Sequence, residues 1–84
     1  QGIMKEIIQN VFEEDLSMFL DKINISTLII WGDKDKMIPV KYAKIINQKI
    51  PNSKLVIFEN IGHSPHIECP EKLSKEIIKF LKDA

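Results

Sequence analysis

The 84-residue sequence has no arginine: all twelve basic side chains are lysine, and twelve acidic ones balance them to a formal net charge of zero. Lysine lacks the planar fork that grips phosphate or carboxylate groups bidentately, and a chain without net positive charge has little hold on a phosphate backbone. A nucleic-acid partner is therefore not expected. Cysteine is nearly missing as well. Cys69 stands alone, so no internal disulfide can form, and a reducing, cytoplasmic compartment is expected. Apolar runs are broken by charge well short of the roughly 20 residues that cross a bilayer. No basic, apolar, small-residue leader precedes the first predicted helix. We expect neither a membrane partner nor a secretory signal.

With 44% apolar and 29% charged residues, the composition is that of a globular chain, far from disorder or collagen. A chain of this length buries only a modest share of its surface, so a large enclosed active site is not expected from it alone. From Ile3 to Phe12, apolar side chains at Met4, Ile7, Ile8, Val11 and Phe12 keep the spacing of an amphipathic helix. Leu16, Phe19, Leu20 and Ile23 resume it after Glu13-Glu14-Asp15, with Asp15 placed to cap a second short helix. Ile25 to Trp31 is rich in β-branched residues and nearly free of polar alternation, which suits a strand of a parallel sheet buried on both faces. Pro39 opens a helix over about 40–49 with Ala43, Ile46 and Ile50 inward. A turn at Pro51-Asn52-Ser53 leads to a second strand, Lys54 to Phe58, and Pro70 opens a last helix striped by Leu73, Ile77, Phe80 and Leu81. Strand, helix, strand makes a βαβ unit with parallel strands and a right-handed crossover. Strands this apolar expect neighbours on both sides, and the chain supplies only two.

Two charged corners follow the strands: Trp31-Gly-Asp-Lys-Asp-Lys-Met-Ile-Pro39, and Asn60-Ile-Gly-His-Ser-Pro-His-Ile-Glu68. Adjacent parallel strands point their carboxyl ends the same way, and open α/β sheets place ligands along that rim. Asp35 and His63 can therefore meet, as the acid and base of a nucleophilic triad do. Taken alone, Asp33 and Asp35 read equally well as ordinary turn formers. His63-x-x-His66-x-x-Cys69, with Glu68 alongside, has the residue types of a zinc site but none of the strong zinc spacings; no metal is expected. Cys69 reads as an inert half-buried thiol, His66 as a loop histidine and Glu68 as a brace for the histidine loop. Trp31 reads as core, and Lys34 and Lys36 as solvated.

The stretches TLIIWGDKDKMIP and NSKLVIFENIGHSPHIECPEKLSKEIIKFL resemble the C-terminal portion of an α/β-hydrolase, in the branch of esterases, C–C bond hydrolases and lactonases. The resemblance runs from about Asp15 to Leu81. In that family the aspartate four residues before the proline of W-G-x-x-D-x-x-x-P is the catalytic acid, which falls on Asp35, and the histidine after the glycine is the base, which falls on His63. Ser26 departs from the proline the family commonly has before the strand, which affects only the turn there. The resemblance implies a helical lead-in from the lid region over residues 1–23 and strand-helix-strand-helix over 24–84. It also implies a small ester-like substrate in the intact enzyme and no cofactor. Met37, Ile38 and Ser64, beside the two corner residues, are the expected substrate contacts.

The family's nucleophile sits on a G-x-S-x-G elbow, and none of the serines at 17, 26, 53, 64 and 74 has that setting. Since the serine precedes acid and base in the family's chain order, it is expected upstream of residue 1, and the isolated chain is expected to be inactive. The competing expectation is a non-catalytic α/β module that self-associates through its unpaired strand edges.

Overall fold

The computed structural model describes residues 17–83. In chain order these form α1 (Ser17–Leu20), β1 (Thr27–Gly32), α2 (Lys41–Lys49), β2 (Ser53–Phe58), α3 (Pro65–Glu68) and α4 (Pro70–Asp83). The helix expected over Ile3–Phe12 and the Asp15 cap lie outside the described residues. Of the second helix, one turn over Ser17–Leu20 is described, extended by backbone bonds from Lys22 to Phe19 and Ile23 to Leu20.

The strands pair in parallel with Thr27 opposite Ser53 and Gly32 opposite Phe58. Among the described residues the sheet is two-stranded, so each strand keeps one open edge. The crossover is α2, which packs on both strands. Its start lies one residue later than expected: Val40 holds the cap position, and the Pro39 carbonyl accepts the Tyr42 N–H. The C-terminal end of the crossover is tied down by hydrogen bonds. Ser53 Oγ donates toward the Ile50 and Asn47 carbonyls, 2.8 and 3.1 Å away, while the Asn47 amide donates back to Ser53. At the front edge the Thr27 N–H donates to the Asn52 carbonyl, and the Asn52 amide reaches Ser26 Oγ at 3.0 Å. The position where the family commonly has proline is thus a latch between the two strand entrances.

The core consists of Ile29 from β1, Tyr42, Ala43 and Ile50 from α2 and its end, and Phe58 from β2. Tyr42 replaces the expected Ile46, which is only half-buried. The apolar stripe of α4 is present but uncovered: none of its residues is buried, Leu73 and Phe80 are half-buried, and Ile77 and Leu81 are exposed. Ile57 on β2 is exposed too. Lys72 of α4 places its ammonium 4.8 Å from the Phe58 ring centroid, an attraction that seats α4 over the carboxyl end of β2. No helix among the described residues is long and apolar enough to cross a membrane.

Candidate active site

Both corners rise from the carboxyl ends of β1 and β2, which the register sets side by side at Gly32 and Phe58. The pairing continues past the strands: the Asp33 N–H donates to the Phe58 carbonyl and the Lys34 N–H to the Ile61 carbonyl, at 3.0 and 2.9 Å. Gly32 permits this approach. A Cβ there would collide with the carbonyl oxygens of Ile61 and Gly62, both backbone atoms. Asp33 adds a third tie, its carboxylate accepting the Asn60 N–H at 2.7 Å. Asn60 holds φ at 59°, a left-handed conformation that asparagine tolerates better than most residues.

Within the first corner, Asp35 Oδ1 accepts the N–H groups of Met37 and Ile38 at 2.9 and 2.8 Å, the local turn that aspartate favours. The Trp31 indole N–H donates to the Ile38 carbonyl at 2.9 Å and closes the loop back onto β1. With Oδ1 occupied, Oδ2 faces His63 and meets Nδ1 at 2.9 Å. The carboxylate is nearly covered, 5% exposed, and the imidazole is open at 46%. Burial pushes the Asp35 carboxyl upward, but the Ile38 N–H, the His63 hydrogen bond and the Met37 N–H together outweigh it and hold the group below its ordinary value. Asp35 is therefore a carboxylate near neutrality, able only to accept, so the neutral imidazole must carry its proton on Nδ1. That leaves Nε2 unprotonated and available as a base.

On the histidine loop, Glu68 accepts backbone N–H groups on either side of His63, from Gly62 at 3.0 and 3.1 Å and from Ser64 at 3.3 Å. The corner itself is partly helical: α3 begins at Pro65 and stops at Cys69, whose N–H returns to the Pro65 carbonyl.

Asp35 and His63, then, are brought together. Met37 and Ile38 contribute backbone N–H groups to the site, with Met37 exposed and Ile38 half-buried. Ser64 lies beside His63, half-buried, with its carbonyl starting α3. Lys34, Lys36 and His66 are exposed, and Cys69 is a half-buried free thiol. Among the described residues no three histidine, cysteine or carboxylate side chains converge as metal ligands would, and no serine hydroxyl pairs with His63. Two shallow grooves run along α4 and beside Glu68 to Lys72, and neither is lined by Asp35 or His63. The Trp31 staple and the Asp33 tie were not legible as site features. Their bonding partners lie seven and twenty-seven residues away, and only the weak signal of polar-tipped residues at a strand end marks them.

The chain matches the family model described as the alpha/beta hydrolase fold over residues 7–70. It is 40% identical over 76 residues to monoacylglycerol lipase ABHD6 of Mus musculus, covering 90% of this chain and 23% of that protein. It superposes with a TM-score of 0.80 and 35% identity on a CIB-like hydrolase from Thermoplasma acidophilum, covering 84% of this chain and 34% of that one. On a serine hydrolase involved in carbazole degradation the TM-score is 0.79 at 31% identity, covering 81% and 26%. The chain spans about a quarter of the length of the curated relatives it matches. A family match over most of its residues, with the parallel pair and flanking helices in place, settles its kinship: the chain belongs to the alpha/beta hydrolase fold family, of which it forms a C-terminal part.

Proposed function

We propose that Asp35 and His63 are the acid and base of a serine-type hydrolase that cleaves an ester or related acyl bond, with the nucleophile supplied from upstream sequence. The observation that carries this reading is the 2.9 Å contact between Asp35 Oδ2 and His63 Nδ1, with the other carboxylate oxygen fully engaged by the loop. In the proposed reaction His63 Nε2 takes the proton of the serine hydroxyl as its oxygen attacks the acyl carbon. The resulting imidazolium is stabilised by Asp35, then returns the proton to the departing alcohol. Water then attacks the acyl-enzyme, giving its proton to Nε2, and the imidazolium passes that proton to the departing serine oxygen as the acid is released. Side chains and water carry every step. Relatives named as a lipase and a serine hydrolase support the reaction class and a small acyl substrate. Met37, Ile38 and Ser64 are proposed substrate contacts, residues 1–23 a lead-in from the lid and 24–84 the end of the catalytic domain, in a cytoplasmic enzyme.

In the full-length protein, His63→Ala is expected to nearly abolish turnover of a chromogenic ester while circular dichroism stays unchanged; wild-type turnover would refute the assignment. The isolated chain should take up no organophosphonate label, and stoichiometric labelling would show that it carries its own nucleophile. A second reading, a self-associating module, is favoured by the exposed Ile57, Ile77, Ile78 and Leu81. Light scattering on the isolated chain distinguishes a dimer from a monomer.

A further inference from the structure

We infer that Glu68 is a positioning residue for the catalytic base, an inference that rests on the triad reading of His63. Between the end of β2 and the start of α3, His63 lies outside any strand or helix. Its neighbours on both sides instead donate to one carboxylate: Gly62 to both oxygens of Glu68, at 3.0 and 3.1 Å, and Ser64 to Oε2 at 3.3 Å. Glu68 is itself anchored to the same segment. Its own N–H donates to the Ser64 carbonyl at 2.9 Å, as does that of Ile67. Ser64 and Glu68 thus exchange hydrogen bonds in both directions, a reciprocal closure like the capping box but one residue longer. Ser64 Oγ makes no cap bond here, so the glutamate alone closes the ring.

Gly62 belongs to the same device. A Cβ at that position would lie 3.0 Å from Glu68 Oε2, so any side chain there crowds the carboxylate. The glycine before the histidine therefore makes room for the clamp. Across the 2.9 Å bond from the imidazole, Asp35 is held by two N–H donors of its own loop. Base and acid are each fixed through backbone amides gathered by a carboxylate, and the bond between them needs both to hold. Without Glu68, the Gly62 and Ser64 amides turn to water, the loop gains conformers, and the fraction of molecules with Nδ1 on Asp35 falls. Among the described residues Glu68 bonds only to backbone amides of its own loop, so the loss falls on kcat rather than on KM.

The test uses the full-length protein and p-nitrophenyl acetate, with Glu68→Gln, Glu68→Ala and His63→Ala compared by steady-state kinetics and thermal melts. Glutamine keeps the shape but offers one acceptor oxygen, so kcat should fall on the order of tenfold. Alanine should lower it on the order of 100-fold, with KM within about twofold in both. Wild-type kcat in Glu68→Gln or in Glu68→Ala, or a loss confined to KM, overturns the role of Glu68. If Glu68→Ala fails to fold, the near-isosteric Glu68→Gln decides by itself. Turnover retained by His63→Ala overturns the triad reading and the Glu68 role with it, whereas an inactive His63→Ala beside a fully active Glu68→Gln overturns the Glu68 role only.

Discussion

Replacing Asp35 with asparagine tests the acid assignment at nearly constant shape. The two oxygens of Asp35 have different duties: Oδ1 accepts two loop N–H groups at 2.9 and 2.8 Å, and Oδ2 accepts from His63. A carboxamide must choose. With its oxygen toward the loop it keeps both backbone bonds and turns its NH2 on the imidazole. The reverse orientation forfeits two hydrogen bonds, roughly 1 kcal/mol each, and sets donors against donors. That difference of about 2 kcal/mol favours the first orientation roughly 30-fold. In that orientation His63 Nδ1 can only accept, its proton moves to Nε2, and the base is lost. Orientation alone therefore lowers kcat by about 30-fold, and losing the charge that stabilises the imidazolium carries the total toward about 10⁴-fold. The assay is kcat and KM on a p-nitrophenyl ester in the full-length protein, with organophosphonate labelling rate as a second measure of nucleophile activation. The surviving loop bonds should keep the protein folded, with a melting temperature lowered modestly at neutral pH by the lost carboxylate contacts to His63. A kcat within tenfold of wild type, in a folded Asp35→Asn protein, would refute the reasoning.

Gly32→Ala should cost about 3 kcal/mol of stability, the upper part of the overpacking range, because the added carbon meets backbone oxygens that cannot swing aside. Turnover should fall with it as the acid and base loops part; an unchanged urea midpoint with full activity would contradict the close approach at this corner. The Asp35 carboxyl is depressed below 3.8 in the fold, so its contribution to stability is complete above that pH and is lost as pH falls through the lower folded value. The stability gap between wild type and Asp35→Asn should accordingly hold from neutrality to mild acid and shrink below pH 3.8; a gap independent of pH down to strong acid would mean that the carboxylate is not held as described.

Element types followed from local pattern. β-branched runs formed β1 and β2, proline placed the starts of α2 and α4 within a residue, and the two parallel strand ends brought Asp35 and His63 to one rim, as strand order alone requires. Local pattern failed where the outcome depended on contact. Tyr42, not Ile46, turned inward on α2, because the helix face is chosen by the sheet beneath it. The one-turn helix α3 formed between two prolines that bar a longer one, because Pro65 sits where its missing N–H costs nothing.

The two aspartates of the first corner show the same division. Both sit in a turn-forming string whose composition leaves their roles interchangeable, and only the resemblance to the W-G-x-x-D-x-x-x-P pattern singles out Asp35. In the fold Asp33 ties the loop to Asn60 while Asp35 faces the imidazole. Residue types and their order were enough to say that an aspartate and a histidine would share the carboxyl end of a parallel sheet, because chain direction and period-two geometry act over a few residues. That Asp35 meets His63 through one oxygen while the loop holds the other, and that Gly32 and Trp31 keep the two corners together, depended on hydrogen bonds between residues as far as 28 apart and on the close approach of Gly32 to Ile61 and Gly62. Such contacts exist only once the strands have paired.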